Sequence, residues 1–293
     1  MEPISKSHLE EQLLMLLKQG QQFLRFFSHK LVKDRIPLNA GSLSYITLLS
    51  LVPLLGVMVA VFSAFPAFEQ VSGQLEAFVF RNFVPAAGEQ IQQSLQAFVA
   101  NTKQMTAFGI LFLVVVAMLL MSAVDRTIDE IWENPHRRRW TTAFMLYWSV
   151  LTLGPLLIGG GLAVSSFLLS AAEGGVMAGW GLKGALLKVL PYLTSILAFM
   201  MIYTLVPGKP VRFIHALTGA LVASVLFELS KQVFAIYITH FSAYEALYGA
   251  LAAVPILFIW VYLSWVVVLL GAEFTYCLGH FQPEKSVDLK VSG

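Results

Sequence analysis

Six stretches of this chain run with almost no charge, each at least as long as the roughly twenty residues a helix needs to cross a bilayer core. That feature constrains the fold more than any other. Inside hydrocarbon every backbone N–H and C=O must find an internal partner, so only helices and closed barrels can span. The runs are far longer than the roughly ten-residue alternating strands of a barrel. They predict an all-α polytopic bundle. Composition agrees, because 57% hydrophobic and 12% charged residues depart from the roughly 45–50% and about 25% of soluble domains. Thirty-six charged side chains in 293 residues are too few to cover a water-soluble globule, and too few for a disordered tail or a nucleic-acid coat. Cys277 is the sole cysteine, which excludes an internal disulfide framework and a four-thiolate zinc site.

The expected spans are Ala40–Phe65, Met105–Val124, Ala143–Ser170, Gly184–Val206, Ile214–Ile238 and Gly249–Tyr276. An even number places both termini on one side. Lys and Arg number 14 in segments 1–39, 125–139, 207–213 and 277–293 against 3 in 66–104, 171–183 and 239–248. Positive charge stays inside, so both termini are expected in the cytoplasm. No signal peptide is visible: Leu13–Leu17 is short and has no cleavage-type small residues after it. Three parts follow: a cytoplasmic segment 1–39, a six-helix transmembrane domain 40–276, and a cytoplasmic tail 277–293.

In the first segment, Leu9, Leu13, Leu16, Phe23, Phe27 and Leu31 recur at helical spacing among Lys18, Arg25, Lys30 and Lys33. This is expected to be an amphipathic helix on an anionic leaflet, with packing on the protein's own cytoplasmic face as the alternative. Residues 66–104 show two more helical apolar patterns separated by Pro85. They predict an extracytoplasmic helical cap.

Polar residues inside spans are the candidate functional groups. Glu228 and Lys231 share one face of the fifth span at i,i+3, and an ion pair at membrane depth is costly enough to suggest an interior, functional position. Self-pairing with snorkelling is the plainer reading. Lys188 and Glu273 are expected near span ends, where they can snorkel. Spans one and three carry hydroxyls and prolines, with Ser50, Pro53, Tyr147, Thr152 and Pro155 completing the candidate polar path. Such residues either serve packing or line a broken-helix substrate route. A shift of 102 residues aligns Tyr45, Pro53 and Phe65 with Tyr147, Pro155 and Phe167, a faint internal repeat. Tyr237, Tyr244 and Tyr248 follow at the outer end of span five, with Trp260, Tyr262 and Trp265 on span six; the outer aromatics read as an interfacial belt, with a site as the alternative. Gly219 and Ala223 suit either a dimer interface or packing inside one protomer, so a homo-oligomer stays open.

Asp125, Asp129, Glu133 and His136 read as a solvated helix before the orientation signal Arg137–Arg139, not as metal ligands. The six histidines are dispersed, and neither a P-loop nor a nucleophile elbow occurs. No catalytic residue, cofactor or metal is expected.

The ordered motifs Tyr45–Pro53 (YITLLSLVP), Tyr147–Leu157 (YWSVLTLGPLL), Tyr203–Pro207 (YTLVP), Gly219–Lys231 (GALVASVLFELSK), Tyr248–Ala253 (YGALAA) and Leu270–Phe274 (LGAEF) resemble the signatures of the YihY/BrkB family of bacterial inner-membrane proteins, especially its YihY branch. The resemblance extends from about Arg35 to His280. It implies a six-helix, multi-pass protein of the bacterial cytoplasmic membrane. It also implies that the old ribonuclease BN label of the family is a misassignment, as the missing histidine cluster argues independently. Links of relatives to serum resistance and to export of lipopolysaccharide precursor suggest envelope transport. No site residues carry over from the family.

Three function classes follow. An envelope transporter or exporter of a lipid or organic anion would use the kinked helices and the Glu228–Lys231 face. A non-transporting assembly or virulence-associated scaffold would use the cap and the N-terminal helix. A membrane enzyme has no visible catalytic constellation. Expected partners are membrane lipids and an unidentified small-molecule or lipid substrate, with no nucleic acid.

Overall fold

Apolar runs of this length fold as helices because hydrogen bonds inside the helix satisfy the backbone wherever water is absent. The computed structural model describes residues 6–63, 107–134, 141–149, 152, 182–239 and 253–282, and all regular structure among them is helical. The helices are α1 (Lys6–Lys33), α2 (Ile36–Ser63), α3 (Ala107–Ile131), α4 (141–149), α5 (Leu182–Leu205), α6 (Phe213–Thr239) and α7 (Ala253–His280). Among the described residues, three apolar stretches are long enough to cross a membrane: Leu111–Ile131, Phe213–Ile238 and Val254–His280. They overlap the second, fifth and sixth expected spans. Shorter apolar helical stretches, Ile36–Leu51 and Tyr192–Leu205, fall in or beside the first and fourth. Most of the third expected span, the 66–104 cap and the second copy of the repeat lie outside the described residues.

The outward faces are apolar. Leu49, Leu111, Leu119, Val225 and Val233 are each about three-fifths exposed, a surface that hydrocarbon covers far more readily than water. Inside, α7 is the hub: it packs on α2, α6 and α1, while α2 also packs on α3 and α6 on α5. The α6–α7 seam is built from small residues, with Ala216, Gly219, Ala220 and Ala223 facing Gly271, Ala272 and Thr275. A Cβ on Gly219 would lie 1.8 Å from Thr275 Oγ1, and one on Gly271 2.7 Å from Ala223 Cβ. Lipid tails are as apolar as leucine, so close backbone approach supplies the attraction between such helices. Tyr203 of α5 crosses the seam, and its hydroxyl donates to the Val268 carbonyl at 2.9 Å. Gly219 and Ala223 therefore serve packing within one chain.

Several sequence expectations change. Asp125 lies inside α3, is buried, and accepts a 2.8 Å hydrogen bond from the Tyr147 hydroxyl of α4. Asp129 accepts from the Gly208 N–H at 2.8 Å. Asp125 and Asp129 are thus tertiary contact points, while Glu133 stays about half exposed. Trp260 is not in an aromatic belt: it is buried against Phe227 and Phe234. The Trp265 indole reaches Thr47 Oγ1 at 2.9 Å, joining α7 to α2. Phe23, Phe26 and Phe27 of α1 pack on Phe274 and Phe281, with ring centroids 5.4–6.0 Å apart. The aromatic face of α1 is thus occupied by the protein itself, while Leu14, Leu17 and Leu24 remain exposed.

The contacts gather one end of the bundle. The C-terminal ends of α1, α3 and α7 meet there with the connection between α5 and α6. These are portions of the four segments that hold most of the basic residues.

Candidate functional site

At the gathered end, the chain leaves α1 and enters α2 through Arg35, whose φ of 48° is left-handed. A non-glycine residue there costs on the order of 1–2 kcal/mol, and the turn sets Lys30 and Asp34 on the inner side of α1. Lys30 is buried and pairs with Asp34, one helical turn on. Its Nζ also lies 3.3 Å from Glu133 Oε1 and 4.6 Å from the centre of the Tyr276 ring. Glu133 follows α3, again with φ 48°. The conformation turns its carboxylate toward α1, where Lys33 donates at 2.7 Å. Lys209 donates to the Trp132 and Glu133 carbonyls at 3.0 and 2.9 Å. A cation on the orphan carbonyls of a helix end satisfies them and complements the helix dipole. Gly208 is the residue that fits beside them, since a Cβ would lie 2.2 Å from Asn134 Nδ2.

Charge shapes this junction. The hydrogen bond from Lys33, against some opposition from burial, holds the Glu133 carboxyl down at about 2. Burial pulls Lys30 downward, but its bond to Asp34 and the surrounding acids outweigh it and hold the ammonium above the usual lysine range. Hydrogen bonding to Glu133 likewise raises Lys33. A cleft of about 360 Å³ opens beside the cluster, lined by Phe26, His29, Lys30, Lys33, Glu133, Tyr276 and His280.

The same charged groups surround Glu273. This residue is 0% exposed, and neither carboxylate oxygen has a hydrogen-bond partner. The expectation that Glu273 snorkels is overturned, because α7 continues to His280 and α1 is docked over that end. Lys30 of α1, Asp34 just beyond it and Glu133 beyond α3 are the charged groups around it. The signal for it in the sequence was the acid beside two small residues in Leu270–Phe274, the place where another helix comes close.

The candidates named from sequence sit elsewhere. Lys231 Nζ lies 2.6 Å from Glu228 Oε1, an ion pair without the angular geometry of a hydrogen bond. Both side chains are partly exposed, and Lys231 also faces the Phe227 ring at 5.5 Å. Ser50 and Pro53 are buried in α2. Tyr147 meets Asp125, and Thr152 donates back to the Trp148 carbonyl at 2.9 Å. The described contacts bring Glu228 and Lys231 together, whereas those of Tyr147 and Thr152 lead to α3 and to their own helix. Pro155 lies outside the described residues, as does the Lys188 side chain.

The family model described as "Virulence factor BrkB" matches residues 27–292 of this chain. The chain belongs to the BrkB family. A UPF0761 membrane protein of Aeromonas salmonicida is 48% identical over 277 residues, covering 94% of this chain and 96% of the relative. Another, of Photobacterium profundum, is 51% identical over 266 residues, covering 91% of this chain and 83% of the relative. No solved structure matches. This BrkB-family chain is therefore a membrane protein, in agreement with its apolar exterior, and the family names indicate no catalytic activity.

Proposed function

We propose that this BrkB-family protein is a multi-pass protein of the bacterial inner membrane, with six spans and both termini cytoplasmic, that moves a lipid or organic anion of the envelope. The observation that carries this reading is the Glu228–Lys231 pair, held partway along an otherwise apolar helix that is long enough to span. Ionised groups at that depth are costly, and a bundle built only to pack has no need of them. Ser50, Pro53, Tyr147, Thr152 and Pro155 remain the candidates that the sequence offers for that path. The gathering of basic segments at one end supports the orientation.

Purified protein in liposomes tests the reading with labelled phospholipid and organic anions. Protein-dependent movement that falls at least tenfold in Glu228→Gln is expected. Absence of movement across the panel would favour the second reading, an assembly scaffold, which the closely packed α6–α7 seam supports.

A further inference from the structure

The unpartnered Glu273 carboxylate is not used by the path just described. Around it, the ionised groups form an unequal count. Lys30 and Lys33 supply two positive charges, while Asp34, Glu133 and Glu273 would supply three negative ones. Widening the circle adds Lys209 at the Glu133 carbonyl and Asp129 at Gly208, one of each sign. One carboxylate remains in excess, and it is the one that solvent does not reach. An uncompensated buried carboxylate is so costly that a proton normally neutralises it. Among the described residues no grouping of His, Cys, Asp and Glu is arranged to hold a metal ion, so the geometry calls for a proton and not for a metal cation.

We propose that Glu273 is a proton-binding site: it is a neutral carboxylic acid while α1 is docked, and loss of its proton leaves an uncompensated carboxylate facing Asp34 at the contact between the two helices, which loosens α1 from α7. The proton is accepted and released by one Glu273 oxygen, and no other bond changes. Lys30, the nearby cation, is already engaged by Asp34 and Glu133 and does not balance the carboxylate once formed. The other groups bearing on the site are Asp34 just beyond α1, Glu133 beyond α3 and Cys277 on α7. Tyr203 of α5 meets α7 at Gly271, and His215 of α6 meets it at Gly279. That this proton is the coupling ion rests on the transport reading; its binding at Glu273 does not.

The test is difference infrared spectroscopy of the full-length protein in lipid nanodiscs, titrated from acidic to alkaline pH. A carbonyl band of a protonated carboxylic acid is expected in the wild type. It should be lost in Glu273→Gln and kept in Glu228→Gln. A band absent from the wild type, or unchanged in Glu273→Gln, overturns the proposal. Asp34→Asn guards against a Glu273 variant that does not fold: removing the facing carboxylate must move the midpoint to lower pH, and no shift or an upward one is fatal. Maleimide labelling of buried Cys277 reads the loosening of α1. As pH rises, the rate in wild type relative to Glu273→Gln should climb about tenfold through the same midpoint. A falling ratio would mean that Glu273 merely repels the thiolate, and the α1 step would be wrong. Flux assays stand apart: an infrared titration as expected, with no movement of any probe, would end the transport reading and leave the proton site intact.

Discussion

Glu228 and Glu273 are two acids in two neighbouring apolar helices, and they are accommodated in opposite ways. Glu228 finds its cation on its own helix, three residues on, and both side chains keep part of their surface exposed. Glu273 is sealed, without a hydrogen bond, and the cation near it comes from α1, more than two hundred residues earlier in the chain. A local pair travels with its helix. A tertiary one depends on a second helix staying docked, so it can report whether that helix is there.

The sharpest way to break this contrast is to remove the two lysines in turn. Lys30→Met strands the largely buried Asp34 and loosens Glu133, and losing one partner of a buried pair costs roughly 3–5 kcal/mol. Asp34 keeps an edge in solvent, which places the expectation near the lower end, about 3 kcal/mol. Lys231→Met removes a pair held within one helix and frees no docked element, so a smaller loss than in Lys30→Met is expected. Thermal unfolding in one detergent compares the two. Equal losses would mean that Lys30 is no more structural than Lys231.

Gly271→Val tests whether the seam beside Glu273 is as closed as its burial implies. The new Cβ would meet Ala223 Cβ at 2.7 Å and the Tyr203 hydroxyl at 2.2 Å, and overpacking of this kind costs about 1–3 kcal/mol. Gly41→Val, whose Cβ would have a single neighbour at 4.0 Å, should unfold within a few degrees of the wild type. A Gly271 variant that behaves like the Gly41 one would show that the seam yields.

The same contrast marks what was legible in the sequence. The i,i+3 spacing of Glu228 and Lys231 needs no knowledge of the fold, because helix geometry alone puts them side by side. The partition of basic residues is equally visible, since it is a property of segments. Glu273 was misread as an end residue with access to water. What buries it is α1, held by Phe23 and Phe27 against Phe274, and α1 looked like a leaflet-bound helix. The spacing of those rings shows an apolar face but cannot say whether lipid or protein covers it. Asp125 was misplaced for the same reason, because its partner Tyr147 belongs to another helix.

The smallest effect belongs to the rim of the cluster. Glu133 is held at about 2 by its bonds to lysine, below the ordinary carboxylate value near 4.5. A depressed acid stabilises the folded form fully above its unfolded value and loses that contribution as pH falls through the folded one. Acid should therefore loosen the link from α1 to α3 progressively from about pH 4.5 down to about pH 2. Glu133 and Lys33 are each about half exposed, so solvent screening limits the link to a small amount. Glu133→Gln should lose that amount at neutral pH and show a flatter decline in stability across the acid range. The Glu273 site behaves in the opposite sense, since it holds its proton in acid and loosens α1 in alkali. If α1 is tight only between the two regimes, Cys277 labelling compared with the Gln variants passes through a minimum. If acid alone or alkali alone frees it, one of the two acids has been given the wrong part in holding α1.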